Sequence, residues 1–143
     1  MTAIALAVSL VIGGCAVKPD EVDVGALEEV RKIGTIIWEK RFEGLMGNDP
    51  DVTHIFVLNV GGDTEQESLK KAVTSLRSRS WVISLEDLPT SVFMESSKWN
   101  GAHLAMYALS DSDENDDPEV IEAIKKQGVE PGGLISVSAY QGS

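Results

Sequence analysis

The chain is poor in the residues that form covalent bridges and zinc sites. Its 143 residues include one cysteine, Cys15, and two histidines, His54 and His103. A single cysteine cannot form an internal disulfide, so packing of a hydrophobic core has to hold the fold. Two histidines without a second cysteine also supply too few ligands for an ordinary zinc site.

Basic residues are scarce as well. The chain has 12 Lys and Arg against 23 Asp and Glu, which gives a formal net charge of −11. Nucleic-acid binding needs Lys and Arg to displace counterions from phosphates, so this composition argues against a nucleic-acid partner. Anionic lipid headgroups would repel the surface, so membrane attachment would require an acyl chain. The same charge favours encounter with a basic partner, and it also keeps a domain soluble.

Motifs of common enzymes and nucleotide sites are missing too. The sequence contains no G-x-G-x-x-G, Walker or G-x-S-x-G pattern. A Ser-His-Asp triad remains open, because its members need not be close in sequence. The sequence therefore assigns no catalytic residue and favours a non-enzymatic function.

The N-terminal segment is apolar and uncharged as far as Lys18. Residues Ala3 to Ile12 have the length of the apolar region of a signal peptide, whereas a membrane-spanning helix needs about 20 residues. Gly13, Gly14 and Cys15 follow directly. An apolar residue, two small residues and a cysteine resemble the lipobox of bacterial lipoprotein precursors. The absence of Lys and Arg before the apolar stretch departs from that pattern.

The resemblance implies a signal peptide over residues 1–14 and lipidation of Cys15, which would attach the protein to a membrane. It implies an extracytoplasmic, membrane-anchored location in the bacterial cell envelope. We then expect a tether over residues 15–24 and a single domain over residues 25–143. An uncleaved membrane anchor and a buried segment with an inert cysteine are the alternatives.

The apolar spacing predicts a leading helix over about residues 25–46. Leu27, Val30, Ile33 and Ile37 fall on one helical stripe. The Gly and Asn residues that follow predict a stop and a turn.

The rest of the chain predicts the order β-α-β-β-α-β. The strands are expected at residues 55–60, 81–85, 102–109 and 134–140, and Val92–Met94 either continues the second strand or forms another. Thr64 and Glu67 form a capping box for the first helix, and Asp117 caps the second. This order predicts an α+β, ferredoxin-like fold with both helices on one face and the fourth strand at an edge.

An acidic loop offers a candidate cation site. Its oxygen-bearing side chains are Asp111, Asp113, Asn115, Asp117 and Glu122. Calcium takes several oxygen ligands, and an EF-hand loop supplies them at similar spacing. The sequence departs from that loop at Asp116, which stands where Gly is needed. Calcium is therefore the one cofactor that the sequence suggests, with a solvated loop as the alternative.

Aromatic side chains supply the other candidate site. Trp99 lies in a polar loop and is the best candidate for an exposed ring that contacts a ligand or partner. Trp38, Trp81, Tyr107 and Tyr140 are further aromatic candidates, of which Trp81 lies on a predicted strand and is expected in the core. A partly buried tryptophan that fixes the loop is the alternative for Trp99.

The sequence thus predicts a lipid-anchored envelope protein that binds a protein partner or a small ligand. Binding would use a sheet face, a sheet edge or the Trp99 loop. A small envelope enzyme or calcium-dependent module using loop 111–122 is the alternative function. A homodimer formed through an edge strand at residues 134–140 is a further prediction.

Overall fold

A computed structural model describes residues 20–46, 49–88 and 90–142. These residues form three α-helices and six strands, joined in part by short 3₁₀ turns. In chain order the elements are α1 (Val24–Arg31), β1 (Thr35–Met46), β2 (Asp49–Asn59), α2 (Glu65–Arg77), β3 (Trp81–Asp87), β4 (Ser91–Ser96), β5 (Ala102–Ala108), α3 (Pro118–Gln127) and β6 (Leu134–Gln141).

The six strands form one antiparallel sheet in the order β1-β2-β6-β5-β4-β3. Helix α2 carries the chain from β2 to the far edge, β3 to β5 return as a meander, and α3 leads to β6. The ferredoxin-like prediction is wrong, because β6 lies between β2 and β5 instead of at an edge. Residues 134–140 are paired with β2 on one side and β5 on the other, so this strand offers no free edge through which two copies could pair.

The predicted leading helix is correct only as far as Arg31. Residues Thr35 to Met46 form the edge strand β1, in which Thr35, Ile36 and Ile37 are β-branched residues that favour extended backbone. A bulge between Ile36 and Trp38 places Ile37 and Trp38 in the same hydrophobic cluster. The bulge hides the two-residue period of a strand, and Ile37 continues the helical stripe by coincidence.

The capped elements are confirmed. Thr64 Oγ1 accepts a hydrogen bond from the Glu67 amide at 3.1 Å, and Glu67 Oε1 accepts one from the Asp63 amide at 2.7 Å. The Asp117 carboxylate accepts a hydrogen bond from the Glu119 amide at 2.8 Å. Gly128 ends α3 with φ at 65°, a conformation that glycine adopts without a steric cost.

The helices cover both faces of the sheet, so the prediction that they share one face is wrong. Alternate residues of β2 show the division: Phe56 and Leu58 lie in the larger hydrophobic cluster, while Val57 lies in a second one. The larger cluster includes side chains of α1 and α2. The second includes Val120 and Ile124 of α3.

Candidate functional site: an open face of the sheet

Helix α3 covers only part of its face of the sheet. It packs against Ile37, Val57 and Leu134, which belong to β1, β2 and the start of β6. On the same face, several side chains of β2, β4, β5 and β6 belong to neither hydrophobic cluster. We call this surface the open face; its residues are Thr53, Ile55, Phe93, Glu95, His103, Ala105, Tyr107, Ser138 and Tyr140, bordered by the exposed Phe42, Val82 and Leu85.

Strand register places these residues in adjacent rows. Ser138 lies opposite Ile55 on one side and Ala105 on the other, and Ala105 in turn lies opposite Phe93. The next row runs through Thr53, Tyr140, His103 and Glu95. Small residues therefore occupy the middle of the open face and larger side chains flank them.

Two aromatic pairs stiffen the surface. The rings of His103 and Tyr140 stack with centroids 5.4 Å apart, and Phe93 meets Tyr107 edge-on at 5.8 Å. These four residues are all half-buried. Rings that already pack together lose little conformational freedom when a partner covers them, which suits them to an interface.

The open face carries apolar surface that reaches solvent. Leu85, Val82 and Phe42 along its borders have 61%, 49% and 39% of their surface exposed. Burial raises the pKa of Tyr140, and the nearby Tyr107 and Glu95 raise it further. Its hydroxyl therefore stays neutral at physiological pH and can act as a hydrogen-bond donor.

A separate cleft of about 550 Å³ lies beside α3. Leu109, Ile121, Ile124, Val129 and Pro131 supply its apolar lining, and polar residues at its rim include Asn115, Lys125 and Glu130. Its volume falls within the range of about 300–1,000 Å³ that is usual for small-ligand sites.

A polar cluster fixes the segment before α1 to the sheet. Glu21 Oε2 accepts a hydrogen bond from His54 Nε2 at 2.7 Å, and its two oxygens accept hydrogen bonds from Arg41 at 3.1 and 3.2 Å. The bonds to Arg41, and then that to His54, lower the pKa of Glu21. Next to it, the Asp20 carbonyl accepts a hydrogen bond from the Val52 amide at 3.2 Å. We call Glu21, Arg41 and His54 the tether cluster.

Trp99 fixes its loop against α1. It packs on the larger hydrophobic cluster, and the space beside Gly25 is filled by its ring, so that a methyl group on Gly25 would overlap the indole. Its indole Nε1 is buried without a hydrogen-bond partner among the described residues. Trp99 therefore matches the alternative given from the sequence, a partly buried tryptophan that fixes its loop.

The acidic loop forms two short 3₁₀ turns, Leu109–Asp111 and Asp113–Asp116. Asp117 uses its carboxylate as the N-cap of α3, and Glu122 is exposed on that helix. The described part of the chain contains no group of three or more His, Cys, Asp or Glu side chains arranged to hold a metal ion.

The two histidines have different surroundings and lie on opposite faces of the sheet. His54 is buried on the face covered by α1 and α2, whereas His103 lies on the open face. Cys15 lies outside the described residues. Among the helices that the structure does describe, none has the length and apolar character needed to cross a membrane.

Sequence reasoning identified two members of the open face, Tyr107 and Tyr140, among its aromatic candidates. It did not bring them together with Phe93 and His103, because the strand order was wrong. Trp81 lies in the core, as the sequence predicts: it is 1% exposed and donates its indole N–H to Glu29 at 2.9 Å. One sequence signal could have placed His103 and Tyr107 together on the open face. Both alternate along β5 with Leu104 and Met106, which are fully buried on the opposite face.

Comparison with known proteins gives no match for this chain among protein-family models, curated proteins or solved structures.

Proposed function

We propose that this protein is a lipid-anchored, non-enzymatic binding protein of the bacterial cell envelope, and that it holds a partner protein on the open face. The observation that carries the proposal is a sheet face with packed, half-buried aromatic rings and no described helix above it. The lipobox-like residues Ile12 to Cys15 support the location.

Exposed apolar residues support binding rather than an inert surface. Single exposed apolar side chains are common, but contiguous apolar patches on soluble domains often mark interaction sites. Here Val82 and Leu85 continue a surface that already contains Phe93 and Tyr107. Covering such a surface removes apolar area from water, which favours association by roughly 25 cal/mol per Å² before the costs of binding.

The environments of the polar groups favour binding over catalysis. Among the described residues, His54 bonds to Glu21 and His103 stacks on Tyr140, and neither forms a hydrogen bond with a serine. A nucleophile and base within hydrogen-bond reach would be the minimum for acyl transfer.

The mass of the mature N-terminus tests the location. The protein is expressed in a bacterium with its natural upstream region, as wild type and as Cys15→Ala. We expect a diacylated or triacylated Cys15 in the wild type and stalled processing or release in the variant. An unmodified Met1 in the wild type would overturn the envelope assignment.

Photo-crosslinking in the producing bacterium tests the binding surface. A photoreactive amino acid replaces Leu85 at the border of the open face, and in a matched control it replaces Val24, which is 66% exposed on α1. We expect a discrete cross-linked protein from position 85 and none from position 24. Equal products from both positions, or none from either, would contradict a partner on the open face.

A further inference from the structure

We infer that the open face binds an amphipathic helix with an apolar side and basic flanks, supplied by a partner protein. This inference rests on the proposed function and specifies the partner's chemistry.

The geometry beside α3 suits a second helix. Helix α3 packs over β1, β2 and the start of β6, and the 3₁₀ turns that precede it lie over the adjoining part of β6, where the Ser136 hydroxyl donates a hydrogen bond to Glu114 at 2.6 Å. The uncovered surface over β6, β5 and β4 begins beyond these turns. Packed helices lie about 8–10 Å apart, which is close to two strand spacings of about 4.8 Å each. Because α3 is centred near β2, a helix two strand spacings away would lie over β5, where Ala105 has Ser138 on one side and Phe93 on the other.

The surface chemistry suits the apolar side of such a helix. Ala105 and Ser138 are small residues that allow close approach, and Ile55 and Phe93 lie on either side of them. Tyr107 and Tyr140 add ring surface with hydroxyl groups that can satisfy polar atoms of a partner. An amphipathic helix presents apolar side chains on one stripe, which such a surface can bury.

The charges around the surface favour basic flanks. Acidic side chains surround it: Glu95 lies on the face, Asp51 and Asp87 continue it along β2 and β3, and Glu119 stands at the start of α3. Lys40 borders the same surface but already pairs with Glu119 at 3.6 Å. Basic residues beside the apolar stripe of a partner would meet Glu95, Asp51 and Asp87, which form no salt bridge with any described residue.

The same charges disfavour a second copy of this chain as the occupant. Two copies packed through their open faces would bring the acidic borders together, and each copy carries a net charge of −11. Like charges brought together across an interface cost free energy and slow the encounter.

Cross-linking to defined peptides tests this inference. The lipidated full-length protein is placed in phosphatidylcholine nanodiscs, whose neutral headgroups do not attract cations, with the photoreactive residue at Leu85 or at Val24. The probe is an 18-residue helical peptide of leucine and lysine with all leucines on one side. Two comparison peptides replace every lysine by glutamate or scramble the order. If the N-terminus proves not to be lipidated, the purified full-length chain is used in the same assay.

We expect an adduct of the lysine peptide from position 85 and little from position 24. The glutamate and scrambled peptides should give at least about fivefold less adduct. Exchanging one border charge by Glu95→Lys should lower the yield with the lysine peptide about three- to fivefold, since an exposed ion pair contributes up to about 1 kcal/mol. Glu28→Lys on α1 changes the net charge equally and should leave the yield unchanged.

Three results would overturn the inference: equal adducts from both positions, equal effects of Glu95→Lys and Glu28→Lys, or an adduct at position 85 that contains only a second copy of this chain. A partner captured in the bacterium at position 85, together with failure of the lysine peptide, would refute the basic helix and leave the proposed function standing. Absence of both would refute both.

Discussion

Single residues decide how the segment before α1 is held. Val22 is 2% exposed within the larger hydrophobic cluster, and Glu21 beside it bonds to both Arg41 and His54. A buried apolar residue and a charged residue with two partners are thus adjacent in sequence. This short segment belongs to the folded domain, although the sequence pattern assigned it to a tether.

The tether cluster predicts a pH-dependent contribution to stability. The pKa of Glu21 is lowered in the folded state, by Arg41 first and then by His54. Its contribution is therefore complete well above the unfolded value of about 4.3, and it is lost as pH falls through the lowered folded pKa. Glu21→Gln should lower the free energy of unfolding by about 1 kcal/mol at pH 7, because the side chain is 35% exposed and solvent screens its bonds.

Urea unfolding of the wild type and Glu21→Gln measures this contribution at pH 7 and near pH 3. The two proteins should differ at pH 7 and approach each other at acid pH. Glu86→Gln removes an exposed carboxylate of β3 and serves as the control. The tether cluster would have no such role if Glu21→Gln and Glu86→Gln gave the same profile.

Close packing between two elements explains the position of α1. Gly25, in its first turn, leaves room for the Trp99 ring from the loop between β4 and β5. Farther along the helix, Glu29 accepts the indole N–H of Trp81 at 2.9 Å. One tryptophan at each end of the contact thus fixes α1 to the sheet.

Gly25→Ala should destabilise the protein by about 1 kcal/mol. Alanine favours a helix more than glycine does by about 1 kcal/mol, but its methyl group would overlap the Trp99 ring, and overpacking of this kind typically costs 1–3 kcal/mol. Chemical denaturation should be compared with Gly132→Ala, where a methyl group meets no atom within 4 Å. If Gly25→Ala were neutral or stabilising, the contact between α1 and Trp99 would not be as described.

The elements were predictable where local chemistry decides them. The Thr64–Glu67 capping box, Asp117 as an N-cap and Gly128 as a helix end all mark their helices correctly, because each depends on neighbouring residues only. Strand β1 was missed, because the bulge at Ile36 and Trp38 removes the alternation that identifies a strand. The open face could not be assembled from sequence, since it depends on the position of β6 between β2 and β5.

At the scale of the whole molecule, the strand order determines where the open face lies, and the net charge adds electrostatic repulsion throughout the fold. Because β6 lies in the centre, β1 and β3 form the edges of the described sheet, and the open face spans the strands between them. No local pattern specifies such an order, because it follows from long-range pairing of segments that are distant in the chain. The net charge of −11 acts on all of these elements at once.

Raising the salt concentration should stabilise the protein at neutral pH. Counterions screen the mutual repulsion of the acidic residues, and we expect a gain of about 1 kcal/mol between low salt and roughly 0.5 M sodium chloride. The gain should shrink at pH 4.5, near the sequence isoelectric point of about 4.5. Thermal unfolding at both pH values measures it; an equal salt effect at both would show that repulsion is not its source.

If Cys15 carries a lipid, as we propose, the pairing of Asp20 with the sheet limits the distance between the membrane and the folded domain. Only residues 16–19 separate Cys15 from Asp20, whose carbonyl is bonded to Val52. Five residue steps of extended chain span at most about 18 Å. A lipid on Cys15 would therefore hold the folded domain close to the membrane. A partner protein could then bind the domain only at the membrane surface.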